Sequence, residues 1–203
     1  MTGTVIVSIV LAVGLFMVIP YLISLLFGKW IKSVTMLAVV EGLARLTVFF
    51  AYIFAISRME EIRRVFMYHG AEHKCINCIE HGMELNVENV KKSSRLHKRC
   101  GTSFLLLVMI ISVIFFLFIR MESPILRLLV RLLLVPVIAG VSYEFIKLAG
   151  RSDNELVNFL SKPGLYLQKI TTIEPNDDMI EVGIASVEAV FDWKKFQEEE
   201  FGA

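Results

Sequence analysis

The chain has 203 residues, 56% of them hydrophobic, and a mean hydropathy of +0.66. A soluble domain is usually about half apolar and far less hydropathic, so a soluble globular protein is excluded. The 21 basic and 20 acidic residues leave a net charge of +1, which provides no basis for binding nucleic acid.

In chain order, Val5 to Phe27 is apolar for about the length needed to cross a ~30 Å hydrocarbon core as a helix. It is too long for the hydrophobic region of a signal peptide, follows no basic residues and ends without a small-residue cleavage site, so it reads as a retained span. Gly14 and Pro20 are places where it can kink. Gly28-Lys-Trp-Ile-Lys is then an interfacial turn with Trp30 as anchor. A second span, Val34 to Ile56, contains Glu41 and Arg45, four apart and so on one helix face. Two readings are open for them: an internal ion pair, or the polar wall of a substrate pocket.

From Ser57 to Arg99 the chain is polar and carries nine Lys or Arg residues. Glu80 to Asn86 is a turn, in which His81 is a turn residue, and Asn86 is the N-cap of a short helix from Val87. A third span runs from Gly101 to Ile119, where Gly101-Thr-Ser permits close backbone approach. After a turn at Met121 to Pro124, the fourth span covers Ile125 to Leu148, with Arg127 and Arg131 early, Pro136 inside, and Glu144 and Lys147 late. The tail begins with a capping box, Ser152 to Glu155, and a short helix ended by Pro163-Gly164. A longer helix starts at Pro175-Asn-Asp-Asp, and its stripe of Ile180, Ile184, Val187, Val190 and Phe191 is a face for packing against the bundle.

The chemistry is concentrated in residues 68 to 104, which hold all four histidines and all three cysteines. An odd number of cysteines cannot close a full disulfide framework, so Cys75, Cys78 and Cys100 fit cytoplasm-facing thiols or metal ligands better. His69-Gly-Ala-Glu72-His73 is H-x-x-E-H, the inverted zincin pattern. On a helix it places two neutral imidazoles on one face for Zn²⁺, with the Glu72 carboxylate beside them as general base. The third ligand of such a site would be Glu144, which alternatively forms a salt bridge with Lys147 or Arg151. Cys75-x-x-Cys78 with His97-x-x-Cys100 forms a rival, closed site at zinc-knuckle spacing. A mixed set of His69 and His73 with His97 or Cys100 is the third possibility, and spacing alone does not choose between them.

Tyr68-His-Gly-Ala-Glu-His-Lys, His97-Lys-Arg-Cys-Gly-Thr-Ser-Phe, Ser142-Tyr-Glu-Phe-Ile-Lys and Pro163-Gly-Leu-Tyr-Leu-Gln-Lys-Ile-Thr-Thr followed by Glu174-Pro resemble the bacterial YqhQ family of membrane proteins, often labelled predicted metal-dependent enzymes. The resemblance marks His69, Glu72, His73, His97, Arg99, Cys100, Glu144 and Gln168 as motif positions and implies an integral membrane protein of a bacterial cell. Relatives of this kind usually carry a glycine-rich region with a Glu-Gly-Val-Met-Met type motif before the first span. This chain starts almost at that span, and a site completed by that region would lack it.

The resulting expectation is an all-α, integral membrane helical bundle of four spans. It is organised as a first transmembrane hairpin (1–57), a cytoplasmic His/Cys loop (58–100), a second transmembrane hairpin (101–150) and a cytoplasmic helical tail (151–203), oriented by the positive-inside rule. Its expected function is zinc-dependent hydrolysis of a peptide or lipid-linked group at the membrane surface. Glu72 is the base, ligands come from His69, His73, His97, Cys100 and Glu144, and Glu41, Arg45 and Arg99 are polar-pocket residues. The alternatives are a scaffold or transport protein with a structural metal, and a carrier using Glu41, Arg45 and Glu144.

Overall fold

The computed structural model describes residues 2–119, 123–152 and 154–202, and among them the structure is helical with no strand. It divides into two compact units, one of Met1–Ile53 and Phe104–Leu148, the other of Phe54–Ser103 and Ala149–Ala203.

The first unit draws on the apolar helices. α1 (Thr2–Val13) and α2 (Ile19–Phe27) are joined by a π-helical turn over Gly14–Val18. The turn immediately precedes Pro20, whose missing N–H and bulky ring disturb the ladder of hydrogen bonds. The expected kink is thus taken up as a π turn. α3 (Val34–Ile56), α6 (Gly101–Phe118) and α7 (Pro124–Ala149) follow. Four segments, Thr2–Phe27, Val34–Ile56, Gly101–Phe118 and Ile125–Ala149, are long and apolar enough to cross a membrane. Val5, Val10, Leu11, Leu43 and Leu133 are each more than half exposed, which is compatible with helices that cross a membrane. Phe16 of the π turn stacks edge-on against Tyr52 at 5.6 Å. At Gly42 a Cβ would come within 2.5 Å of Val113, so glycine there lets α3 and α6 approach closely. The turn expected over 121–124 lies largely outside the described residues.

The second unit is built on α4 (Glu60–Glu80), a 21-residue helix that occupies much of the segment expected to be a loop. Glu60 and Glu61 in its first turn complement the helix dipole. At its other end His81 is the C-cap, and Gly82 takes φ +68°, accessible to glycine at little steric expense. Met83 N–H then donates to Cys78 O at 3.1 Å, closing the helix end. α5 (Val87–Lys92) starts as expected from Asn86, whose side chain accepts from Asn89 N.

α8 departs from expectation at both ends. Its N-cap is Asn154, which accepts from Leu156 N at 2.9 Å, rather than Ser152, whose Oγ accepts from Asn154 N. The helix runs from Glu155 to Thr171 straight through Pro163-Gly164. Pro163 stays on the exposed side, while a Cβ on Gly164 would sit 2.7 Å from Ser103 Oγ, so the helix packs against the start of α6 here. Gly101 itself has nothing within 4 Å of an added Cβ; the close approach expected there belongs to Ser103 and Gly164.

α9 (Asp177–Glu188) is capped by Asn176 and lays Ile180 and Val187 into a core with Ala71, Cys75, Cys78 and Ile79 of α4. That stripe therefore packs on α4, and it ends early, with Val190 and Phe191 exposed before a last helix, α10 (Trp193–Phe201). Burial of Ile79 and Ile180 contributes on the order of 1.5–3 kcal/mol each.

Between α8 and α9 the extended backbone crosses α4 at Gly70, where Ile173 N–H donates to Phe66 O at 2.9 Å. A Cβ on Gly70 would lie 2.2 Å from Ile173 O. Gly70→Ala is therefore expected to destabilise the protein by about 1–3 kcal/mol through a forced backbone shift, seen as a lowered Tm in detergent; an unchanged Tm would show that the crossing is loose.

Candidate metal centre

α4 presents His69 and His73 one turn apart on a single face, with their rings 4.4 Å between centroids and steeply tilted. Each ring is fixed by its Nδ1. His69 Nδ1 lies 2.9 Å from Thr171 O and His73 Nδ1 2.7 Å from Arg95 O. A carbonyl can only accept, so both Nδ1 atoms carry the proton in the neutral rings and both Nε2 lone pairs remain available. Into this pair comes the thiol of Cys100, with Sγ 3.3 Å from His69 Nε2. One ligand atom each from His69, His73 and Cys100 lies within 4.8 Å of the others. His73 and Cys100 are buried and His69 is partly so.

Three further side chains brace the stretch of chain that delivers Cys100. Lys74, 4% exposed, donates from Nζ to Lys91 O (2.8 Å) and Ser93 O (3.0 Å) and pairs with Glu174 at 2.7 Å. Asn77 Nδ2 donates to Ser94 O and Leu96 O. Gln168, fully buried on α8, accepts from His97 N through Oε1 and donates from Nε2 to His97 O and Ser103 Oγ. Gln168 thus braces the backbone three residues before Cys100.

The electrostatics favour a thiolate. Burial pushes the Cys100 thiol up, but hydrogen bonds from His69, His73 and Thr102, with the charge of His73, outweigh it and bring the group down to about 5. His69 is correspondingly raised, first by its hydrogen bond with Cys100, against burial, and then by Thr171 O, the thiolate and Glu72. Cys75 goes the other way: desolvation, with Cys78 and Glu72 nearby, pushes it up to about 12.

The other candidates are placed elsewhere. His97 uses both ring nitrogens: Nδ1 accepts from Arg99 N at 3.3 Å and Nε2 lies 2.9 Å from Glu80 Oε2. Glu80 also pairs with Arg99 Nη2, and its carboxyl is held low by the His97 hydrogen bond, against burial, with help from Arg99. His97 and Arg99 thus share the Glu80 carboxylate on the wall of a separate cleft of ≈ 470 Å³. Cys75 packs beside Gly183 in the core, and Cys78 Sγ points to Met83 O and Glu84 O, so the four-ligand knuckle is not assembled. Glu144 lies in the first unit, with its carboxylate 3.9 Å from Lys147 Nζ. Glu41 and Arg45 also lie in the first unit, paired at 3.1 Å. Glu72 is exposed and shares with His69 a cleft of ≈ 650 Å³ between α4 and α9. The bracing residues Lys74 and Asn77, and the carbonyls of Arg95 and Thr171, went unrecognised in the sequence. A lysine and an asparagine on a helix carry no mark of backbone partners about 17 residues away.

A model of the family described as "Protein of unknown function (DUF1385)" matches residues 1–193. The chain belongs to this family. It is 43% identical over 148 residues to "Uncharacterized protein YqhQ" of Bacillus subtilis (strain 168), a match covering 72% of this chain and 46% of that protein. The chain thus spans about half the length of that relative. No solved structure matches it. Membership in the YqhQ-type family stands, as the resemblance implied, and the four apolar helices are compatible with a multi-pass membrane protein.

Because the folded-state pKa of Cys100 is depressed below its ordinary value of 9.0, its ionisation stabilises the metal-free fold fully above pH 9, and this contribution is lost as pH falls through about 5. Titrating thiolate ultraviolet absorbance in metal-free protein should show a step near pH 5 that Cys100→Ser removes. A first step only above pH 8 would show that the imidazoles do not hold the thiolate.

Proposed function

We propose that this is a multi-pass membrane protein whose His69, His73 and Cys100 hold a divalent transition-metal ion, with zinc the best chemical match, and that the site supports hydrolysis. The observation that carries the reading is the convergence of two Nε2 lone pairs and one thiolate, with both imidazoles oriented from behind by backbone carbonyls. Two neutral imidazoles and a thiolate are a donor set that zinc accepts, and three protein ligands leave a fourth position for water or substrate. Bound there, the ion would act as a Lewis acid toward water and a substrate carbonyl or phosphoryl oxygen.

Within that chemistry Glu72 is the proton acceptor. Its carboxylate stands in the cleft next to His69, close enough to raise that imidazole's pKa, and no hydrogen bond among those described engages it. The cleft walls from Val182, Val190 and Phe191, with Tyr68, suit an apolar peptide side chain or the chain of a lipid-linked substrate. Cys100 directly precedes α6, which would stand the site at the membrane surface, and the basic residues of 57–99 favour the cytoplasmic side for it.

A second reading draws on the same geometry: an ion bound here would tie α4 to Cys100 at the start of α6, a structural staple without chemistry. Elemental analysis and turnover of Glu72→Gln separate the two. Hydrolysis predicts about one metal ion retained and turnover of a peptide or lipid-linked ester panel lowered by roughly 10²–10⁴-fold. Metal retained with no turnover by either protein would leave the staple. In both readings His73→Ala and Cys100→Ser lose the ion; a metal content untouched by both would refute the site itself.

A further inference from the structure

The first unit holds a second polar cluster that the metal chemistry does not use. Glu41, Arg45 and Arg131 are 4%, 3% and 5% exposed within helices otherwise suited to hydrocarbon. Glu41 Oε1 receives Arg45 Nη2 at 3.1 Å and also Arg131 Nη1. Arg45 Nη1 donates to Ser112 Oγ at 3.0 Å, and both guanidinium carbons lie over the Phe116 ring, at 4.7 and 4.9 Å. Two cations share one carboxylate, so the cluster carries one unit of uncompensated positive charge. The buried Nε atoms of Arg45 and Arg131 have no hydrogen-bond partner among the described residues. Excess buried charge and unsatisfied donors are both costly in a low-dielectric bundle.

Arg131 also forms part of the wall of a cavity of ≈ 230 Å³ between α7 and the segment from the π turn into α2. A second cation, Arg127, lies on that wall over the Tyr21 ring, and the remainder is hydrocarbon from Met17, Val18, Leu22 and Leu128. A small hydrated anion would meet the charge but leave these side chains against water. An apolar molecule would fill the cavity but leave the charge. We propose that the cavity binds the anionic phosphate headgroup of a membrane lipid, with Arg131 drawing the phosphate towards the cluster and the acyl chain lying along the Met17, Leu22 and Leu128 wall. This site is independent of the metal centre.

The test uses the full chain in detergent, native mass spectrometry, and dioleoyl phosphatidylglycerol against phosphatidylcholine with the same chains. The unmodified protein should retain the anionic lipid about tenfold better, as expected when a single buried charge decides between headgroups. Arg131→Gln should abolish the preference, and so should Leu128→Trp, which fills the cavity and leaves all three charged residues in place; thermal unfolding of each variant confirms that it is folded. Equal retention of the two lipids by the unmodified protein would overturn the proposal. So would a preference that survives Leu128→Trp, or displacement of the lipid by millimolar inorganic phosphate alone, since either makes the cluster a free-anion site.

Discussion

Two hydrogen bonds from imidazole to backbone carbonyl, His69 to Thr171 and His73 to Arg95, are the constraint on which the centre depends. They select the tautomer and swing both Nε2 atoms to the side from which Cys100 arrives. They also require two distant pieces of chain to pass α4 at fixed heights. One is held by Lys74, Asn77 and Gln168, and the other by the crossing at Gly70. The buried side chains of His73, Lys74, Asn77 and Gln168 satisfy backbone groups of the first of these segments, which would otherwise be buried without partners. The fold of this unit is in that sense a frame for positioning one thiolate between two imidazoles.

Without a metal, that arrangement stabilises charge separation. The depressed thiol and the raised His69 are two descriptions of one coupled pair, in which thiolate and imidazolium support each other under partial desolvation. A divalent cation would replace the imidazolium proton as the thiolate's partner, so binding is expected to release protons and to weaken in acid. Glu72, on the open side, and Glu80, tied up with His97 and Arg99, show how differently two carboxylates of one helix are used.

Much of this was legible in the sequence, for identifiable reasons. The four apolar segments follow from length and composition, and H-x-x-E-H requires only that its segment be helical to bring His69 and His73 together. Cys100 was among several possible third ligands, and the spacing of Cys75-x-x-Cys78 pointed equally to a knuckle. What separates the thiols is burial: Cys75 and Cys78 face the α4–α9 core, a consequence of the Ile180 and Val187 stripe meeting α4, whose partner could not be read from its own periodicity. His97 was a plausible ligand until its ring nitrogens were seen to be occupied. Pro163 is a helix breaker by local rule, yet α8 passes through it because Gly164 and Gln168 pack and bond on the far side of the helix, where tertiary contact outweighs propensity. The i, i+4 pairing of Glu41 and Arg45 was readable, whereas Arg131, 90 residues from Glu41 in sequence, was not.

X-ray absorption at the metal edge of the loaded protein tests the central claim most directly. One sulfur and two imidazole nitrogens, with a further light ligand, in the metal's first shell is the result that His69, His73 and Cys100 require. A shell with no sulfur, or with two or more, would contradict it and point to ligands other than these three.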